Sequence, residues 1–264
     1  MKSTSLAAVL LIVAGSAAHA APQPGDIAFT AFNADEDGFA IAALRALPAY
    51  STIYFSDNEW SGGAPGSGVF STGENTYAWV TGPQTIEAGT VVRFSAIDQA
   101  TRAASVGAFG LFQGGTPGFS ASGDTIFAFS GDAAAAPTQF LAALSSEAYA
   151  GSTLAGSGLT AGINAVAVGT GADFAEYIGT RTGLATFGAY GGLINDPSHW
   201  RSFASGDFAA TAPNVTAFEI APVPEPQTYA LLATGLGLIG WRLRKRAQQR
   251  APLRLWNFSA PIAR

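Results

Sequence analysis

A chain of 264 residues with 48% hydrophobic and only 12% charged side chains is too apolar for a disordered polymer and too poor in charge for a coiled coil. The complete absence of cysteine excludes disulfide frameworks, Cys-ligated zinc, iron–sulfur clusters and cysteine nucleophiles. The formal net charge of −5 is unevenly spread: residues 21–226 hold five basic side chains (Arg45, Arg93, Arg102, Arg181, Arg201) and all eighteen acidic ones, a net of −13, so nucleic acid is not an expected partner.

Residues 1–20 read as a secretory signal: Lys2 gives a basic start, Leu6 to Val13 an apolar run too short to span a bilayer, and Ala18-His19-Ala20 a small-x-small cleavage site. The mature chain then begins at Ala21. Residues 21–220 form one β-rich domain. Strands are predicted at Asp26 to Phe32, where apolar and small residues alternate, and at Thr52–Phe55, Thr76–Val80, Thr90–Phe94 and Thr125–Phe129. Further strands are expected at Gln139–Leu144, Ala165–Val168 and Val215–Ile220. Phe39 to Leu47 is read as a buried strand. Thr182 to Ile194 is the best helix, with Leu184, Phe187, Tyr190 and Ile194 spaced by three or four and Asn195-Asp196-Pro197 ending it. Short runs between glycine-rich turns, without long helical crossovers, predict an all-β antiparallel sandwich with one short helix.

Asn33-Ala34-Asp35-Glu36-Asp37-Gly38 matches the first half of a calcium loop, but Leu44 stands where an EF-hand needs a bidentate Glu. A Ca²⁺ ion held by Asn33, Asp35 and Asp37 would borrow its missing oxygen from Asp57, Glu59 or Asp124; the plainer reading is a solvated acidic tip. Asp57-Asn58-Glu59-Trp60 closes a strand. Its carboxylates are neighbours, whereas glycoside hydrolysis needs two acids that flank the bond. Asp57 and Asn58 are therefore expected to bond turn amides, with Trp60 covering a core edge. His199 is the single imidazole after residue 20, in a turn beside Pro197, and no Gly-x-Ser-x-Gly elbow accompanies it. No enzyme is expected. Trp60, Tyr77, Trp79, Tyr177, Tyr190 and Trp200 would stack on sugars if exposed.

Gly25 to Phe29, Phe32 to Ala40, Thr52 to Trp60, Ser71 to Glu74, Tyr77-Ala78-Trp79 and the closing Asn195-Asp196-Pro197-Ser198-His199-Trp200 together resemble an exported bacterial module of lamin-tail-like, immunoglobulin-like sandwich fold, over residues 25–204. That resemblance implies a fold and no settled activity.

The end of the chain repeats the logic of the start. Val223-Pro224-Glu225-Pro226 breaks regular structure, Tyr229 to Trp241 carries no charge, and Arg242, Arg244, Lys245 and Arg246 close the segment. This three-part order resembles the PEP-CTERM sorting signal. The resemblance implies an exosortase partner at the inner membrane, a single-pass segment at 228–241, and delivery to the cell surface or extracellular matrix, where such proteins accompany exopolysaccharide and biofilm. The sorting signal would occupy 221–246, with a basic extension at 247–264. The whole reads as an exported, non-catalytic binding or structural module for exopolysaccharide or matrix proteins. Its rival is a secreted hydrolase of extracellular polymers acting through Asp57, Glu59, Glu74 or Asp124.

Overall fold

A computed structural model describes residues 21–120, 123–169, 171–222 and 226–249. The expected leader with Ala18 and Ala20 of its cleavage site, the residues Val223, Pro224 and Glu225, and the extension from residue 250 lie outside the described residues. The chain divides into two compact units, one ending at Ala221 and the other beginning at Pro222.

In chain order the strands of the first unit are β1 (Ile27–Asn33), β2 (Gly38–Ala43), β3 (Thr52–Ser56), β4 (Thr76–Val80), β5 (Val91–Ser95), β6 (Ala103–Ala104), β7 (Ala108–Gln113), β8 (Thr125–Gly131), β9 (Pro137–Ser145), β10 (Ala165–Ala167), β11 (Phe174–Tyr177), β12 (Thr182–Leu184), β13 (Trp200–Phe203) and β14 (Glu219–Ile220). They form two six-stranded sheets, ordered β13-β11-β1-β2-β5-β6 and β10-β9-β8-β3-β4-β7, plus a parallel pair β12-β14. Pairing within the large sheets is antiparallel except between β9 and β10.

One apolar cluster joins the facing sides of both sheets, as in a β-sandwich. Phe39 of the first sheet meets Phe55 of the second at a centroid distance of 4.9 Å, and Phe94 stacks on Phe39 at 4.6 Å. A second cluster covers the outer side of the second sheet with Trp60, Phe127, Phe129, Phe140 and Leu159. Successive residues of β8 therefore enter different clusters: Ile126 and Ala128 the inner, Phe127 and Phe129 the outer. That is why β8 reads as a continuous apolar run rather than an alternating one. β1 departs from its expected alternation for the same reason, since all seven positions are buried and α1 (Tyr190–Ile194) packs against it.

Phe39 lies in β2, as the strand reading requires. The helix expected at 182–194 is corrected. Residues 182–184 form β12, Phe187–Ala189 a 3-10 turn whose start is capped by the Thr186 side chain, and only Tyr190–Ile194 is α-helical. Gly183 has φ +93°, outside helical space, and β12 instead finds a partner in β14. The strand expected from Val215 shrinks to Glu219–Ile220, the residues that this pairing fixes.

In the second unit α2 spans Pro226–Gln249. Among the described residues no helix is long and apolar enough to cross a membrane. The uncharged stretch Tyr229–Trp241 reaches roughly 20 Å at 1.5 Å per residue, against about 30 Å of hydrocarbon, before Arg242, Arg244, Lys245 and Arg246 interrupt it. Lys245 Nζ lies 4.3 Å from the Trp241 ring centroid, a cation–π contact at the start of the basic run.

Candidate functional site: an acidic cleft at one sheet end

Antiparallel order in the second sheet sets the end of β3 beside the starts of β4 and β8 and the end of β9, with Ser56 opposite Thr76 and Phe127, and Thr125 opposite Ser145. The polar residues just beyond these strand ends converge on a cleft of about 460 Å³, lined by Asp57, Glu59, Glu74, Asp124 and Glu147, with Trp60 and Phe127 on its apolar wall. A wider open hollow of about 610 Å³ runs along Thr81–Glu87 and Val106–Ala108, but Glu87 is its one ionisable lining residue, so the ionisable groups concentrate in the acidic cleft.

Local bonding fixes the cleft walls. Asn58 Oδ1 accepts from the amides of Gly73 and Glu74, 3.0 Å each, while its Nδ2 donates to Ser56 Oγ, tying the turn after β3 to the turn before β4. The Trp60 indole N–H donates to the Ala155 carbonyl at 3.1 Å. The Asp124 amide donates to Ser146 Oγ, and the Ser146 amide returns a bond to the Asp124 carbonyl, both at 2.8 Å. A Cβ at Gly123 (φ +131°) would lie 2.9 Å from Glu147 Oε2, so glycine here lets the Glu147 carboxylate close in.

The electrostatics are unbalanced. Asp57 is 4% exposed, and neither carboxylate oxygen has a hydrogen-bond partner. Burial pushes its pKa up to about 8, with Glu74 and Asp124 raising it further; the nearby amides of Asp57 itself and Asn75 offset this only in part. Asp124 is raised to about 7, first by burial and then by Glu74, Glu147 and Asp37, against one bond from the Ser120 amide. Burial and then the charge of Glu59 raise Glu74.

The residues expected to share a calcium ion make the following bonds. Asn33 Oδ1 accepts from the amides of Asp35 and Glu36, and its Nδ2 donates to the carbonyls of Phe208 and Thr211. Asp35 Oδ2 accepts from the Phe208 amide at 2.7 Å. Asp37, at φ +53°, accepts from the Phe119 amide at 2.5 Å, and burial raises it to about 6. Only Asp57, Glu59 and Asp124 of that set line the cleft. Among the described residues no group of three or more His, Cys, Asp or Glu side chains could hold a metal ion.

The four carboxylates named for the rival hydrolase do come together. Glu147 was missed; its one signal is a carboxylate directly after the apolar run that becomes β9. Asn58 bonds turn amides as expected. All six aromatics considered for sugar stacking are buried. His199 sits in a 3-10 turn with Nδ1 3.0 Å from the Leu193 carbonyl, away from the cleft lining.

Comparison with known families places a PEP-CTERM protein-sorting motif at residues 222–246. The match begins one residue after the first compact unit ends. This motif implies exosortase processing, export with C-terminal anchoring, and surface association. No curated protein and no solved structure matches the chain.

Proposed function

We propose that this is a cell-surface or extracellular-matrix protein whose sandwich, immunoglobulin-like and lamin-tail-like in kind, is a non-catalytic binding module for exopolysaccharide in a biofilm setting. The observation that carries the reading is the acidic cleft, whose carboxylates accept hydrogen bonds from sugar hydroxyls. Calcium is not needed by this reading, because Asn33 Oδ1 and one Asp35 carboxylate oxygen already accept from backbone amides. The test is a glycan array probed with the full chain in neutral detergent. Retention of at least one oligosaccharide is expected, weakened tenfold or more in a Glu59→Gln, Glu147→Gln double variant; silence across the array refutes the reading.

A second reading, hydrolysis of extracellular polymers, draws on a specific observation. Asp124, raised to about 7 chiefly by burial, lines one cleft with the exposed carboxyl group of Glu59, and glycoside hydrolysis uses two carboxyl groups around one bond. Release of reducing ends from an array-positive polymer, abolished by Asp124→Asn, would establish it in place of simple binding.

A further inference from the structure

Five carboxylates line one cleft, and among the described residues no cationic side chain lines it with them. Each arginine between residues 21 and 226 is engaged elsewhere. Arg45 stands 3.8 Å from Asp26, Arg93 pairs with Glu36 and Arg201 with Glu176. Arg181 donates to the carbonyls of Thr216 and Asn214, and Arg102 to that of Ile97. Asp57 meanwhile stays buried at the cleft wall with both oxygens unpartnered. A buried carboxylate without a donor is costly, and a ligand that supplies positive charge and N–H groups removes that cost.

The size and spread of the site decide which cation. No group of three ligating side chains among the described residues converges tightly enough for a metal ion. The cleft volume of about 460 Å³ falls instead within the range of organic-ligand sites, about 300–1,000 Å³. We infer that the cleft binds an amino sugar carrying a free ammonium group, seated between Asp57 and Asp124, with hydroxyls bonded to Glu59, Glu74 and Glu147. The inference rests on the glycan-binding reading and narrows it: cationic, de-N-acetylated polymers are taken, and uronate polymers are repelled by like charge.

The experiment is calorimetric titration of the detergent-solubilised full chain at pH 7 with a β-1,4-glucosamine hexamer, its fully N-acetylated counterpart, a galacturonate hexamer and calcium chloride. The glucosamine hexamer should bind at least tenfold more tightly than the N-acetylated one, the galacturonate should not bind, and affinity should fall as salt rises from about 50 to 500 mM. Asp57→Asn should weaken binding fivefold or more with an unchanged circular dichroism spectrum. Glu147→Gln, at an exposed position, gives an independent reading if the first variant misfolds. Equal affinity for the two chitin-type hexamers overturns the ammonium inference but leaves glycan binding standing. Failure of every oligosaccharide overturns both, and calcium that binds and displaces the glucosamine hexamer converts the cleft into a metal site.

Discussion

Three buried or half-buried carboxyls give the domain a pH response of definite sign. Asp57, Asp124 and Asp37 are raised to about 8, 7 and 6, each chiefly by burial. Between their ordinary value near 4 and these raised values, the folded chain keeps protons that the unfolded chain has lost, so stability falls as pH rises through the window. The melting temperature should therefore drop from pH 5 to pH 9 in scanning calorimetry. Asp57→Asn should flatten that slope and exceed the parent at pH 9 by on the order of 2 kcal/mol, with little difference at pH 4. A variant that tracks the parent at every pH would show that Asp57 ionises freely. Residue types along the sequence named four of the five cleft acids, because Asp and Glu beside predicted strand ends stand out in a chain so poor in charge. Glu147 could not be found that way: only the β8–β9 register sets it against Gly123. Asn33, named for calcium, satisfies its own turn with a local bond that competes with any ligand.

Among the elements, strands rich in aromatic and β-branched residues were legible: β3, β4, β5 and β8 begin or end within a residue or two of expectation. β6 carries no such residue, and β11 and β13, though half aromatic, are only four residues long; they are strands because a neighbour pairs with them, β11, for instance, lying between β1 and β13. β14 belongs to the same class and does more than its two residues suggest. Phe218 just before it is buried, its amide bonded to the Gly89 carbonyl, while the Tyr190 hydroxyl donates to the Glu219 carbonyl. The Arg181 guanidinium lies 4.8 Å over the Phe218 ring and holds two backbone carbonyls of the same segment. Lysine cannot reproduce that planar fork, so Arg181→Lys should cost about 1–3 kcal/mol and speed amide exchange at residues 216–220. Gly89→Ala should loosen the same segment, because φ is +93° and the added Cβ would meet the Phe218 carbonyl oxygen at 2.4 Å. Unchanged exchange in both variants would mean that β14 holds without this contact.

For the whole molecule, the boundary between compact units falls at 221/222, and the sorting motif starts at 222. Fold and address therefore occupy separate stretches of chain, and charge separates with them: all eighteen acidic residues precede the helix α2, whose carboxyl half is basic. Neutralising Arg242, Arg244, Lys245 and Arg246 should impair anchoring and sorting while leaving the melting curve of the first unit unchanged; fractionation of cells that finds normal surface delivery would count against a role for the basic cluster.

The late position of Phe218 and β14 bears on how the protein leaves the cell. A polypeptide threaded through a translocation pore amino end first cannot seal the pocket around Tyr177 and Tyr190 until residue 220 has emerged, since Phe218 packs on both rings. Closure of that pocket therefore waits on the last residues of the first compact unit.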